Sequence, residues 1–214
     1  MRSTATRRRY GTVVGLMVAI GLLCTHVPFA DEVLQEADEA QKAGEVQECL
    51  KGQFPKIIRG LRLSPVRLNF RRTNTNILLA GLGSYIVNAQ GGCNDCHTNP
   101  PYAPGGDPFM GEPERINAAG YMAGGQEFGP FISRNITACA NGRPAGLTFA
   151  QFVRAMRTGV DLKDGRTGPP NTPILQVMPW PVYGNMNRCD LLAIYEFLRA
   201  IPPHDNQGCT PGGP

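Results

Sequence analysis

The residues of this chain with the most specific chemistry are Cys93, Cys96 and His97, which stand in the order Cys-Asn-Asp-Cys-His. Two thiols at this spacing can form thioether bonds to the two vinyl groups of one porphyrin. The adjacent histidine then places an imidazole nitrogen beneath the iron. This is the pattern of c-type haem attachment. It predicts one covalently attached haem c, with Cys93 and Cys96 as anchors and His97 as the proximal iron ligand.

Two other chemistries use the same three side chains. A redox-active dithiol would be expected after a strand in a βαβ frame, whereas the residues before Cys93 have a helical pattern. A zinc site would need a fourth ligand, and no paired Cys or His spacing elsewhere in the sequence supplies one.

An iron that transfers electrons needs a second axial ligand. The chain has three histidines, of which His26 lies near the N terminus and His204 in a proline-rich tail. Methionine is therefore the expected ligand, because a neutral thioether favours ferrous iron. Met178 is the predicted distal ligand, since the prolines around it hold an extended loop just before the last helix. The remaining candidates are Met110, Met122 and Met186, whereas Met156 is expected to pack in the core instead.

Three helices must position these groups. Apolar residues at helical spacing predict a helix over 77–89. A capping pattern at Thr148 and Gln151 predicts one over 148–158, ending at Gly159, and Asn187 begins one over 188–200. Residues 98–133, rich in glycine and proline, predict a long irregular loop. The fold class is therefore mostly α.

The first thirty residues have the order of a secretory signal. A basic stretch with Arg2 and Arg7 precedes the apolar run 13–23, and a polar segment ends at Ala30. The run is too short to span a bilayer. We expect export, to a bacterial periplasm, with cleavage after residue 30. The alternative is an uncleaved N-terminal anchor, and no later stretch is apolar enough for a membrane span.

Charge is unevenly distributed over the 214 residues. Four of the 21 Lys and Arg residues precede residue 10, and residues 31–214 carry equal numbers of bases and acids. A nucleic-acid partner is therefore disfavoured. Residues 31–50 are acidic, whereas residues 51–72 carry seven bases and no acid. The two blocks either pair internally or dock a partner, and Pro55, Gly60 and Pro65 predict that the basic block is mostly extended or looped.

These motifs together resemble a class I cytochrome c over about residues 75–202. The resemblance rests on Gly81 and Tyr85 before the Cys-x-x-Cys-His motif, on Met178-Pro179, and on the segment 190–198. Residues 133–137 and 149–159 are similar to modules in the multihaem cytochrome subunits of membrane-bound alcohol and sugar dehydrogenases. Those subunits carry several haem motifs and this chain carries one. It also has cysteines at 139 and 189, where that family usually has other residues.

The resemblance implies a class I cytochrome c fold at 73–214, with a long irregular loop insert and an N-terminal extension at 31–72 that follows a signal peptide at 1–30. It implies a non-enzymatic carrier of single electrons between periplasmic or membrane-bound redox proteins, such as a dehydrogenase or oxidase. The alternatives are a haem enzyme or gas sensor with an open or displaceable sixth iron position, and a non-catalytic subunit of a dehydrogenase complex.

Four further cysteines remain in the exported chain: Cys49, Cys139, Cys189 and Cys209. An even number in an oxidising compartment indicates disulfides, and three pairings are possible. We expect Cys139–Cys189 and Cys49–Cys209, with four buried free thiols as the alternative.

Overall fold

The structure, a computed structural model, describes residues 43–73, 75–162 and 174–204. The chain divides into two compact units, Met1–Glu45 and Val46–Pro214. Nearly all the described residues belong to the second unit. The predicted signal peptide, most of the acidic block and Cys209 lie outside the described residues. Within them, no helix is long and apolar enough to cross a membrane.

Helices dominate the described residues, as the sequence predicts. The first, α1, covers residues 43–50. It is followed by α2 (Phe54–Leu63), α3 (Phe70–Thr73), α4 (Ile77–Tyr85) with a π-helical turn (Ile86–Gln90), α5 (Cys93–His97), 3₁₀ turns at Pro108–Met110 and Ala118–Gly120, strands β1 (Glu127–Phe128) and β2 (Phe131–Ile132), α6 (Phe149–Thr158), α7 (Trp180–Tyr183) and α8 (Arg188–Ala200). The two strands pair antiparallel.

The two best-defined helices of the sequence are confirmed at both ends. Thr148 and Gln151 form a reciprocal capping box at the start of α6, and Gly159 ends that helix in the left-handed conformation. The Asn187 side chain accepts a hydrogen bond from the Asp190 amide at the start of α8.

Glycines let the central helix α4 pack closely on both sides. A Cβ atom at Gly83 would lie 1.9 Å from the Ala193 carbonyl oxygen of α8. On the other side, a Cβ atom at Gly81 would lie 3.0 Å from the Ile57 carbonyl oxygen of α2. The sequence predicts a close helix approach at Gly81; α2 makes that approach, and α8 makes a closer one at Gly83.

The prediction that residues 51–72 are mostly extended or looped is wrong, because residues 54–63 form α2. Pro55 lies in the first turn of this helix, where its missing N–H costs nothing. Gly60 is a contact point, since a Cβ atom there would lie 1.9 Å from the Gly81 carbonyl oxygen. Gly60 weakens a helix in isolation, and packing against α4 offsets its cost.

The expected disulfides are also wrong. Cys49 is bonded to Cys189, with Cα atoms 5.2 Å apart, so α1 is linked to the start of α8. This bond excludes Cys139–Cys189. Cys139 is also in a disulfide, so the alternative of four free thiols is wrong as well. The expected Cys49–Cys209 bond cannot form because Cys49 is already used. Pairing depends on which elements meet in space, and sequence order does not specify it.

Candidate functional site

One apolar cavity brings together all four residues predicted to hold the haem. Its volume is about 440 Å³, which is in the range of cofactor sites. Cys93, Cys96 and His97 lie in its wall, and so does Met178 from the far end of the sequence. Further apolar wall residues come from the π-helical turn, the β1–β2 hairpin, α6 and α8; they include Ile86, Val87, Phe128, Phe131, Phe152, Ile194 and Leu198.

The backbone before Cys93 sets the direction of the motif. The π-helical turn ends at Gln90, and Gly92 is left-handed, with φ of 57°, immediately before α5. Glycine adopts this conformation without strain. Cys93 and Cys96 are three residues apart on the short helix α5, so their side chains project from neighbouring positions. His97 follows on the same turn.

The two thiols of the motif are free. Burial, with the neighbouring Cys96, raises the pKa of Cys93 to about 12. The pKa of Cys96 is raised too, first by burial and then by the carboxylate of Asp95. A reactive dithiol needs a lowered pKa, because the thiolate is the nucleophile. This environment therefore argues against the redox-active dithiol.

His97 is held in one orientation by a backbone contact. Its Nδ1 lies 2.8 Å from the carbonyl oxygen of Arg134. A carbonyl oxygen only accepts hydrogen bonds, so Nδ1 carries the proton and Nε2 keeps a free lone pair. Burial lowers the pKa of His97, which favours the neutral ring. A neutral imidazole oriented by such a hydrogen bond is the form in which histidine binds a metal.

An ion pair lies in the same wall. The guanidinium of Arg134 pairs with both carboxylate oxygens of Asp161, and both residues line the cavity. Arg134 thus contributes its backbone to His97 and its side chain to the polar edge of a mainly apolar site.

The methionines divide into two groups. Met178, Met186 and Met156 all line the cavity. Met110 is 77% exposed at a loop tip and Met122 is fully buried in the core, and neither lines the cavity. The expected core packing of Met156 is confirmed, because its side chain packs against the apolar core as well as lining the cavity. Its place in the wall follows from α6 covering one side of the cavity.

The segment that carries Met178 is fixed by contacts at both ends. Trp180 donates from Nε1 to the Leu175 carbonyl, and its ring packs so close to Gly159 that a Cβ atom there would lie 2.4 Å from Nε1. Tyr183, three residues on, donates to the Gly91 carbonyl at 2.8 Å. The Met178 segment is therefore bound directly to the backbone beside the Cys-x-x-Cys-His motif.

Three further residues near these segments do not line the cavity. The Asn135 side chain accepts from the Thr137 amide and hydroxyl and does not line the cavity. Trp180 contacts the Met178 segment through its hydrogen bond to the Leu175 carbonyl. His204 is outside the cavity wall, and its backbone amide donates to the Thr137 hydroxyl at 3.1 Å.

Sequence reasoning missed Tyr183 and Asp161. Tyr183 follows the Met-Pro-Trp-Pro segment by two residues. An aromatic hydroxyl so close to a predicted ligand could have indicated a role in holding that segment. Asp161 lies in no motif, and only the fold brings it to Arg134.

The cavity fits the group that the motif implies. It offers two free thiols side by side, a neutral imidazole with an available Nε2, and a mainly apolar wall with a thioether in it. The zinc alternative lacks a ligand set: among the described residues, no three His, Cys, Asp or Glu side chains form a group that could hold a metal ion.

Comparisons with known proteins give one similarity. A subunit of nicotinate dehydrogenase from Pseudomonas putida (strain KT2440) is 33% identical to this chain over 117 residues. The aligned region is 55% of this chain and 8% of that protein. No protein-family model matches the chain, and no solved structure matches it significantly.

Proposed function

We propose that the protein is a monohaem c-type cytochrome of the class I fold that carries single electrons between redox partners. Cys93 and Cys96 would hold one haem c covalently, and His97 and Met178 would be its axial ligands. The observation that carries this proposal is the convergence of these four residues on one apolar cavity.

Each residue has a defined task in this proposal. The two thiols anchor the group, and the Arg134 carbonyl keeps the His97 ring oriented with Nε2 available. The bound haem would supply reversible one-electron chemistry. The apolar wall excludes water, and His/Met ligation in such surroundings favours a high reduction potential. A held thioether leaves no position for a substrate, which supports a carrier rather than an enzyme.

We further propose that the donor or acceptor is a dehydrogenase in the periplasm or its membrane. The similarity to part of a nicotinate dehydrogenase supports this choice over an oxidase. Export rests on the order of the first thirty residues. The chain would then be either a free carrier or the electron-transfer subunit of a dehydrogenase complex.

The test is the visible spectrum of the exported protein in a host that attaches haem c. We expect a sharp α-band on reduction that carbon monoxide does not shift, and a weak far-red band from the methionine–iron bond in the oxidised form. Met178→Ala should remove the far-red band. Met186→Ala and Met156→Ala are matched controls, because both side chains line the same cavity, and both should keep it.

Each outcome separates the alternatives. A haem that binds carbon monoxide in the wild-type protein indicates the enzyme or gas sensor with a displaceable ligand. Loss of the far-red band in Met186→Ala alone would move the axial ligand to that residue. Absence of covalent haem would refute the proposal as a whole.

A further inference from the structure

A basic surface lies on α2 and the residues after it, away from the residues that line the haem cavity. Between residues 51 and 73 the chain has seven Lys and Arg residues and no Asp or Glu. The six whose side chains the structure describes are all exposed; they form what we call the basic face and are Lys51, Lys56, Arg59, Arg62, Arg67 and Arg71. None of these six makes an ion pair in the described part of the chain.

The basic face is held rigidly. The apolar side of α2 is buried at Ile57 and Gly60 against α4. The Ser84 hydroxyl donates to the Gly60 carbonyl at 2.6 Å, which fixes the rotation of α2 about its axis. Lys56, Arg59 and Arg62 therefore stay on the solvent side. Like charges this close repel one another, so this arrangement favours an anionic partner.

A cleft continues the basic face beyond α2. It is open to solvent, has a volume of about 590 Å³, and the two exposed arginines Arg67 and Arg71 are part of its lining. Its apolar lining comes from Leu68, Phe70, Pro202 and Pro203. The Asn69 amide donates to the Ala200 carbonyl at 2.7 Å, which joins the two walls of the cleft. A cleft lined by apolar side chains and two arginines fits an apolar side chain that has carboxylates next to it.

We propose that the basic face docks an acidic segment of a partner protein. Carboxylates of that segment bind the arginines, which suit them because a guanidinium offers paired donors in the geometry of a carboxylate. An apolar side chain of the segment fills the cleft that Arg67 and Arg71 help to line. The positive charge of the basic face selects a negatively charged partner, and the cleft adds selectivity for an apolar side chain that fits it.

A protein segment fits this face better than an anionic membrane. A helix that lies on a membrane inserts its apolar side into the lipid. The apolar side of α2 is already buried against α4, and Phe54 is the one large apolar residue of α2 that stands out, 65% exposed. The cleft also requires a protruding side chain, which a lipid headgroup layer does not present.

The inference rests on the proposed function only for the redox role of the partner. The contacts that define the basic face involve no residue of the haem cavity. A failure of haem attachment is seen in the visible spectrum, whereas a failure of docking is seen in binding, so the two are distinguishable.

The probe is a fluorescent oligoglutamate peptide with one central phenylalanine, and binding to the full exported protein is followed by fluorescence anisotropy. We expect binding that weakens as salt is added, because surface charge pairs are screened. Replacing the phenylalanine of the peptide by serine should also weaken it. Arg67→Glu/Arg71→Glu should lower the affinity about tenfold or more.

The matched control is Arg143→Glu/Arg154→Glu, which makes the same change of charge at two exposed arginines outside the basic face. It should keep most of the affinity. Thermal unfolding of both double variants checks that they fold. Vesicles of phosphatidylglycerol and phosphatidylcholine serve as a second probe.

Equal losses in the two double variants would overturn the proposal, since binding would then follow net charge alone. Absence of peptide binding would do the same. Binding to the anionic vesicles but not to the peptide, with loss in Arg67→Glu/Arg71→Glu, would replace the protein partner by a membrane surface.

Discussion

The Tyr183 hydroxyl donates a hydrogen bond of 2.8 Å to the carbonyl oxygen of Gly91, across 92 positions of sequence. Gly91 comes two residues before Cys93, and Tyr183 comes five residues after Met178. This bond therefore joins the segment with the proposed distal ligand to the backbone beside the proposed haem anchors. The first two predictions depend on it.

Tyr183→Phe keeps the ring and removes the hydrogen bond. We expect a loss of about 1 kcal/mol in the free energy of unfolding, because one partly buried hydrogen bond is lost. In the haem-loaded protein the far-red band should weaken and carbon monoxide should bind partially, since the Met178 segment is less firmly held. An unchanged band with the same loss of stability would mean that Tyr183 has no part in positioning Met178.

The same tyrosine predicts a change of stability at high pH. Burial raises the pKa of Tyr183 from 10 to about 12. Between these values the unfolded chain loses the proton while the folded chain keeps it, so the wild-type protein loses stability as pH rises. Tyr183 is partly exposed, so we expect about 1 kcal/mol or less. Urea unfolding of wild type and Tyr183→Phe between pH 8 and 11 should show the wild-type advantage shrinking; a constant difference would contradict this.

Gly83→Ala tests the contact between α4 and α8. The added methyl would lie 1.9 Å from the Ala193 carbonyl oxygen, so the two helices must separate. We expect a loss of about 3 kcal/mol in the free energy of unfolding. Gly44→Ala is the control, because Gly44 is helical and a Cβ atom there would have no neighbour within 4 Å. That change should be neutral or stabilise by about 0.5–1 kcal/mol. Similar effects at both sites would refute the close contact.

Removing the Cys49–Cys189 bond by Cys49→Ser/Cys189→Ser should destabilise the protein by about 4 kcal/mol, because the bond joins residues 140 positions apart. The visible spectrum of the haem-loaded variant should stay the same, since neither cysteine is one of the proposed haem anchors. Chemical denaturation measures the first effect.

Peptide mapping without reduction gives an independent check of the pairing. It should recover a linked Cys49–Cys189 pair. Cys139 is in a disulfide as well, so it should also be recovered in a linked peptide. Recovery of Cys139–Cys189 would contradict the structure.

Helices with signals in their own sequence were predictable. Thr148 with Gln151 begins α6 and Asn187 begins α8, because caps act within one helical turn. The helix α2 was not predictable, since Gly60 disfavours a helix and Pro55 is tolerated only in the first turn of one. Packing of Gly60 on α4 offsets the cost of the glycine.

In the candidate site, too, the residues that belong to a local sequence motif were predictable and the others were not. The Cys-x-x-Cys-His spacing alone indicates Cys93, Cys96 and His97 as candidate site residues. The placing of Met156 and Met186 in the same wall, the Arg134–Asp161 pair and the Cys49–Cys189 bond all depend on which elements meet in space. No short segment of a single sequence shows which distant elements meet in the folded protein.

The Cys49–Cys189 bond also has a consequence for the order of maturation. A chain emerges with its N terminus first, both from the ribosome and across a membrane, so Cys49 meets Cys93 and Cys96 long before Cys189 arrives. In the proposed oxidising compartment those nearer thiols, together with Cys139, are the competing partners. Early attachment of the proposed haem to Cys93 and Cys96 would take both out of the exchange and so remove two competitors of Cys189 for Cys49. The cofactor would then protect the correct pairing of cysteines that never touch it.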